Sequence, residues 1–356
     1  MPDASSDKPP RRPRYQGKNP RQFHEKYKEH QPERYADDIV RVVAGGRTPA
    51  GTHRPILVNE ILDILAPAAG QIAVDCTLGY GGHAAKLLAA IQPGGRLLGV
   101  DADPIELPKT ELRLQELGYP AESLVVRRMN YAGVAKLILS ESPDGADIIL
   151  ADLGLSSMQI DNPERGFTYK SDGPLDMRLN PERGLPASEL LSKLDVTELA
   201  ALLEANADEP QAAKLASAIL DAHASYPVRT TTDLANIVAD FVKKRRQATE
   251  DDIKQSIRRV FQALRIAVND EFGALDAFLR QLPCCLKPGG RVAILSFHSG
   301  EDRRIKQAFR KGFSDGTYSK ISDEIIRPTL EEQRANPRSS SAKLRFAVRA
   351  PLEIMP

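Results

Sequence analysis

Five short apolar runs recur along this 356-residue chain: Gln71–Asp75, Arg96–Asp101, Ser123–Arg127, Asp147–Asp152 and Arg291–Phe297. Each follows a loop or turn, and most lead into a helical stretch. The first four are spaced by about 25 residues, a rhythm that βαβ units in a parallel sheet impose. An α/β fold is therefore expected. The long gap before the fifth run, from Leu153 to Pro288, holds loop motifs and amphipathic segments such as Ala187–Leu203 and Gln211–His223, which predict an inserted helical domain. Within it, Thr230-Thr231-Thr232-Asp233 supplies a hydroxyl or carboxylate cap for a helix over Leu234–Val242.

Composition narrows the setting. The length suits one large core and a smaller second unit, since single cores stop growing near roughly 250–300 residues. A net charge of +1 neither demands nor excludes a polyanionic partner, so local charge has to decide. Of three cysteines, Cys284 and Cys285 are adjacent, which leaves no disulfide framework and points to a reducing, cytoplasmic setting. The six histidines are scattered without zinc-ligand spacing, so no metal is expected. No apolar run approaches the ~20 residues of a membrane span, and no membrane partner is expected. Arg11, Arg12, Arg14 and Arg21 resemble an organelle-targeting peptide, but acidic residues are interspersed from Asp3 onward.

The first apolar run leads into Val74-Asp75-Cys76-Thr77-Leu78-Gly79-Tyr80-Gly81-Gly82-His83, a strand that turns through three glycines into a helix at about Ala84. Glycines admit close approach of a ligand, and the helix start offers free N–H groups. The second run ends in Asp101, placed to accept both hydroxyls of a ribose. Glycines at 79, 81 and 82 with none at 84 do not match the dinucleotide fingerprint, which disfavours a nicotinamide cofactor. Asp75 is placed to hold the ammonium of a methionine moiety, or to cap the turn. S-adenosylmethionine is the cofactor that satisfies these features together, and Asp75, Gly79 and Asp101 are its expected contacts.

Carboxylates also mark the acceptor side. Asp152 ends the fourth run and is followed by Leu153-Gly154-Leu155-Ser156-Ser157. It can localise the lone pair of an exocyclic amine for methyl transfer, or bond the cofactor. The stretches Arg165 to Tyr169 and Asp172 to Arg178 combine aromatics, acids and bases with turn formers, as a site for a flipped-out base requires. Phe167 and Tyr169 either stack on that base or anchor the loop, and Asp176 with Arg178 either faces substrate or forms a local ion pair. His298, after the fifth run, points toward the same crevice and either serves the site or is a structural histidine. Candidate catalytic residues are thus Asp152, Asp176 and His298; candidate substrate-binding residues are Phe167, Tyr169, Arg178, Arg259 and Arg303.

With these residues in view, the chain resembles the RsmH (MraW) family. The likeness rests on His53 to Leu57, Asp75 to His83, Asp101-Ala102-Asp103-Pro104, Asp152 to Gln159, Glu164 to Tyr169, Asp172 to Arg178, Phe261 to Ile266, Ser296 to Arg303 and Asn336 to Ser339. It implies a class I, Rossmann-like S-adenosylmethionine-dependent methyltransferase with a helical insertion. The implied substrate is the exocyclic N4 of a decoding-region cytidine in small-subunit (16S) ribosomal RNA, within an assembled or nearly assembled 30S subunit. It also implies cofactor contacts at Gly81, Gly82, His83, Asp101, Asp152 and Gln159, with Tyr131 standing where the family usually has a phenylalanine against the adenine. Two departures stand out. Gly300 replaces a common leucine, which predicts a looser following helix, and Ala207-Asp208-Glu209-Pro210 lacks the arginine of the usual Gly-Glu-Glu-Arg.

The expected organisation is a basic arm over 1–52, a methyltransferase domain over 53–160 and 255–356, and a substrate-recognition insertion over 161–254. Two other classes compete: a noncatalytic RNA-binding assembly factor on the same scaffold, and a nicotinamide-dependent oxidoreductase. The arm carries eleven Lys or Arg against seven Asp or Glu, which suits either a solvated tail or an RNA contact. Lys243 to Arg246 poses the same choice between a solvated helix end and an RNA patch. Deleting residues up to Arg47 is expected to lower RNA affinity and flatten its salt dependence, measured by titration at several salt concentrations. An unchanged slope would make the arm a tail.

Overall fold

The computed structural model describes residues 55–351; the expected arm over 1–52 lies outside them. Helix α1 (Val58–Leu65) precedes strand β1 (Ile72–Asp75). There follow α2 (Gly82–Ala90), β2 (Arg96–Asp101), α3 (Leu107–Gln115), β3 (Leu124–Arg128), α4 (Val134–Glu141) and β4 (Ala146–Asp152). Short α5 (Ser157–Asp161) then opens the insertion, which continues through α6 (Ala187–Leu191), α7 (Val196–Ala207), α8 (Ala212–Ser225), α9 (Thr231–Lys243) and α10 (Glu250–Asn269). Helix α11 (Glu271–Cys285) returns the chain to β5 (Leu286–Ser296), α12 (Ser299–Ser314), β6 (Tyr318–Ile321), α13 (Leu330–Ala335) and β7 (Lys343–Arg349).

The seven strands lie in the order β3-β2-β1-β4-β5-β7-β6. Strands β1 to β5 are parallel, whereas β7 runs antiparallel to both β5 and β6. This is the doubly wound, Rossmann-like α/β arrangement expected for the chain. The order reverses between β1 and β4, where Asp75 lies level with Gly99 on one side and Leu150 on the other. A crevice opens at such a switch point above the carboxyl ends of the strands. Two hydrophobic clusters cover the two faces of the sheet, so its central strands are apolar throughout rather than alternating. The five strands read from sequence are present within a few residues of their expected limits. The antiparallel pair β6 and β7 was not anticipated, although Leu344, Phe346 and Val348 alternate as a strand should.

The insertion packs around a third cluster of its own, formed by α6 to α10 with Phe167, Leu175 and Met177. Its helices start where capping residues stop the preceding chain. The single segment expected over Ala187–Leu203 is two helices, because Asp195 accepts the Glu198 N–H at 2.8 Å while Glu198 accepts the Asp195 N–H at 3.0 Å. That capping box starts a new helix and breaks the old one. Thr230 caps α9 in the same way through Asp233. Helix α10 crosses the expected domain limit at residue 254: Ile253 through Leu264 belong to the insertion's core. Among the described residues no helix is long and apolar enough to cross a membrane.

Leu215 on α8 is fully buried in the insertion's cluster. Leu215→Ala removes that contact and leaves a cavity, so a stability loss of about 2–5 kcal/mol is expected in chemical denaturation. A loss under about 1 kcal/mol would mean that the insertion closes over the gap.

Candidate active site

The glycine turn after β1 is built by bonds from neighbouring strand ends. Gly81 takes φ +83° as the residue before α2, and a Cβ there would stand 2.9 Å from Thr110 Cγ2, so a larger residue is excluded by both backbone and space. Gly79 donates its N–H to Asp101 Oδ2 at 2.8 Å, and its carbonyl accepts the Thr110 hydroxyl at 2.6 Å. The Asp103 N–H donates to Asp101 Oδ1 at 2.9 Å. Thr77 donates its N–H to Asp75 Oδ1 at 3.1 Å, while its hydroxyl accepts the Asp152 N–H at 2.7 Å, tying the ends of β1 and β4 together.

Three carboxylates therefore share one edge of the sheet. Burial pushes Asp75 up to about 7, against the opposing pull of the Thr77 N–H, and the nearby Asp101 charge adds to the rise. Burial also raises Asp101, and it lifts Asp152 to about 8, where the charges of Asp75 and Glu301 contribute further. Asp152 Oδ1 is buried without a hydrogen-bond partner. His83, in the first turn of α2, lies with Nε2 3.7 Å from Asp152 Oδ2; burial lowers it to about 4, so it is neutral. A row of acids, Asp75 buried and Asp101 and Asp152 half-buried, with an unmatched oxygen suits a ligand that carries positive charge.

Two expected cofactor contacts are engaged with the protein itself. Gln159 donates to Asp103 Oδ2 at 2.7 Å and accepts the Ser156 N–H at 3.0 Å. Tyr131 follows β3, packs edge-on against Phe278 at 5.6 Å, and turns its hydroxyl toward the Glu271 carbonyl at 3.5 Å. Burial, reinforced by Glu271 and Glu301, raises its phenol above the ordinary range.

On the acceptor side, His298 lies beyond β5 with Nε2 3.3 Å from Glu301 Oε1. Burial would raise Glu301, yet His298, the Phe297 N–H and Arg265 together bring it below its ordinary value. Arg265 grips Glu271 through two bonds of 2.8 and 2.9 Å. The spacing in the sequence shows no metal ligands, but the fold brings donor atoms of Glu271, His298 and Glu301 within 4.8 Å of one another. Arg265 already supplies positive charge there. Gly300 lets the Phe272 ring sit against the start of α12, since a Cβ would be 2.6 Å from Phe272 Cζ. The ring fills that space beside His298, 5.7 Å between centroids, and carries the Arg304 guanidinium on it at 3.7 Å.

The remaining candidates are dispersed. Phe167 is buried in the insertion's core and anchors the loop, while Tyr169 is half-buried against that core, edge-on to Phe261 at 5.5 Å. Asp176 accepts three bonds from Arg178, of which the shortest is 2.7 Å; the two form a local ion pair. Arg259 and Arg303 both turn toward the corner between α7 and α8, each 3.8 Å from its partner, Glu209 and Asp208 respectively. Lys243 to Arg246 are all exposed at the end of α9.

Over residues 50–350 the sequence matches the MraW methylase family. A protein of Alkaliphilus metalliredigens named ribosomal RNA small subunit methyltransferase H 2 is 49% identical over 350 residues, covering 98% of this chain and 100% of that protein. Another, from Lachnoclostridium phytofermentans and named ribosomal RNA small subunit methyltransferase H 1, is 47% identical over 342 residues, covering 96% and 93%. The chain belongs to the MraW methylase family. As a member it is an S-adenosylmethionine-dependent methyltransferase.

For an MraW methylase, the residues that sequence reasoning missed are those that hold others: Thr77, Asp103, Arg165, Arg265, Glu271 and Glu301. Their signal was adjacency to chosen residues, as in Asp101-Ala102-Asp103 and His298-Ser299-Gly300-Glu301, but their partners come from distant segments.

Asp75 and Asp152 hold protons in the folded protein at a pH where the unfolded chain has lost them. Their contribution to stability is full below about 4 and is lost as pH rises through about 7 and 8. The melting temperature of the cofactor-free protein is expected to fall over that range, and Asp152→Asn is expected to flatten the fall. An unchanged slope in the variant would mean that Asp152 is ionised in the fold.

Proposed function

We propose that this methyltransferase modifies small-subunit ribosomal RNA at the exocyclic N4 of a decoding-region cytidine, position 1402 of the 16S molecule. The relatives' names support the ribosomal substrate. The observation that carries the chemistry is the buried, unpartnered Oδ1 of Asp152 at the switch point of the sheet.

The residues fit S-adenosylmethionine, which when bound supplies an electrophilic methyl on a sulfonium. Asp101 uses one lone pair of each oxygen on the N–H groups of Gly79 and Asp103, leaving others for ribose hydroxyls. Asp75 gives up its proton to hold a cationic group, and Asp152 faces the same cleft. Gly79, Gly81, Gly82, His83, Tyr131 and Gln159 shape the cofactor side of it. Toward the substrate, the Asp152 carboxylate accepts an N–H of the cytosine amine, whose lone pair is otherwise delocalised into the ring, and so aims that lone pair at the methyl. With the methyl that the cofactor would supply to N4, the proton shed by N4 would pass to Asp152, whose pKa of about 8 suits a base near neutrality. His298, oriented by Glu301, closes the other side of this pocket. No cysteine is assigned a role: Cys76 and Cys285 are buried with raised thiols, and Cys284 is exposed at the end of α11, at the opposite end of β5 from His298. The insertion, with exposed Lys243 to Arg246 and with Arg259 on α10, is the proposed RNA-recognition domain, Arg303 of α12 stands beside it at Asp208, and a 30S particle is the proposed partner.

Mass mapping of small-subunit RNA from cells with and without the protein is expected to show one methyl group fewer, on that cytidine, without it. An unchanged map would remove the assignment. In the purified protein, Asp101→Ala is expected to weaken cofactor binding roughly tenfold or more, whereas Asp152→Asn lowers turnover about 100-fold with affinity nearly intact. Equal losses of affinity would make Asp152 a cofactor ligand only.

A further inference from the structure

Asp103 and Arg165 form a buried ion pair that joins the two halves of the site. Asp103 is 1% exposed and Arg165 8%, with Oδ2 and Nη1 2.8 Å apart. Asp103 Oδ1 accepts the N–H groups of Ile105 at 2.8 Å and Glu106 at 3.3 Å, while Oδ2 also takes the Gln159 amide at 2.7 Å. Its own N–H is bonded to the carboxylate of Asp101, on the cofactor side. The other end of the pair faces the opposite way. Arg165 Nη2 donates to the carbonyls of Arg178 at 3.1 Å and Leu179 at 2.9 Å, and the Arg165 carbonyl accepts the Met177 N–H at 3.1 Å.

Those bonds seize the loop that carries Asp176 and Arg178 at its tightest point. Met177 is fully buried with φ +64°, a conformation a methionine adopts only when its surroundings impose it. Asn269, at the end of α10, completes the clamp: its amide donates to the Met177 carbonyl at 2.8 Å and accepts the Leu179 N–H at 2.7 Å. A buried ion pair gives little net stability against an apolar pair of similar volume, because desolvating both charges offsets their attraction. What it adds is direction: a planar guanidinium holds a carboxylate on one edge and carbonyls on another at fixed separation.

We propose that Arg165 is a positioning residue that sets the Asp176–Arg178 loop relative to the Asp101–Asp103 turn, and thereby places the acceptor base against the methyl donor. This rests on the RNA-methyltransferase reading above. Arg165→Lys keeps a bond to Asp103 but cannot span to both carbonyls. Its homocysteine-product (S-adenosylhomocysteine) affinity, by calorimetry, is expected to stay within about twofold of wild type, while kcat on unmodified 30S subunits falls about tenfold or more. The double variant Asp103→Asn with Arg165→Met removes both charges together. It is expected to melt near the wild-type temperature yet remain as slow as Arg165→Lys, and it carries the test if the lysine variant fails to fold. A double variant that regains turnover along with stability would reduce the pair to packing and overturn the proposal. Amide hydrogen exchange supplies a readout that needs no turnover. In Arg165→Lys, residues 176–179 are expected to exchange faster while 79–83 do not change; equal protection at 176–179 would overturn the positioning role even if wild-type protein methylated no subunit, a result that would separately sink the functional reading.

Discussion

The structure turns on keeping three acids together at one edge of a parallel sheet, one of them buried and two half-buried. Asp75, Asp101 and Asp152 end β1, β2 and β4, strands that neighbour one another in the sheet, and burial raises all three. Backbone N–H groups relieve Asp75 and Asp101 in part, through Thr77, Gly79 and Asp103. Asp152 Oδ1 has no such relief. The fold therefore raises all three acids, Asp75 to about 7 and Asp152 to about 8, and leaves those two ready to ionise against a cation. A site of this kind costs stability when empty and recovers it on binding, the usual tension between a stable core and a functional one.

That edge is joined to the insertion through α10. Its first part packs into the insertion's cluster, and its last part carries Arg265 onto Glu271 and Asn269 onto the Met177 loop. One continuous helix thus joins the insertion's core to the Glu271 and Met177 contacts, which explains why a boundary drawn at residue 254 cuts through it. The Arg165–Asp103 pair makes a second, independent connection from the β2 side. Movement of the loop relative to the cofactor turn would have to break both.

Aromatic side chains serve here mainly as structural fill. Phe167 and Tyr169 turn inward to the insertion's core, and Phe272 occupies the space that Gly300 leaves open beside His298. At Gly300 the space beside His298 is filled by an aromatic ring arriving from α11, a residue distant in the chain.

The parallel sheet, the glycine turn and the strand-terminal acids were legible in the residues themselves, because each is encoded locally: a short apolar run, a positive φ, a carboxylate at the end of a strand. The helix starts were legible for the same reason where a cap and its partner stand three residues apart, as at Thr230 and Asp233. The break at Asp195, by the same device, was readable and overlooked. What only the tertiary structure decided was where side chains of mixed character point and whom they meet. Phe167 can stack on a base or fill a core; Arg178 can face RNA or bind Asp176; Asp103 finds Arg165 62 residues away, and Glu301 shares its space with Arg265 from another helix. Such choices depend on contacts between segments far apart in sequence, whose energies are set by burial and distance after the chain has folded, and no local pattern carries them.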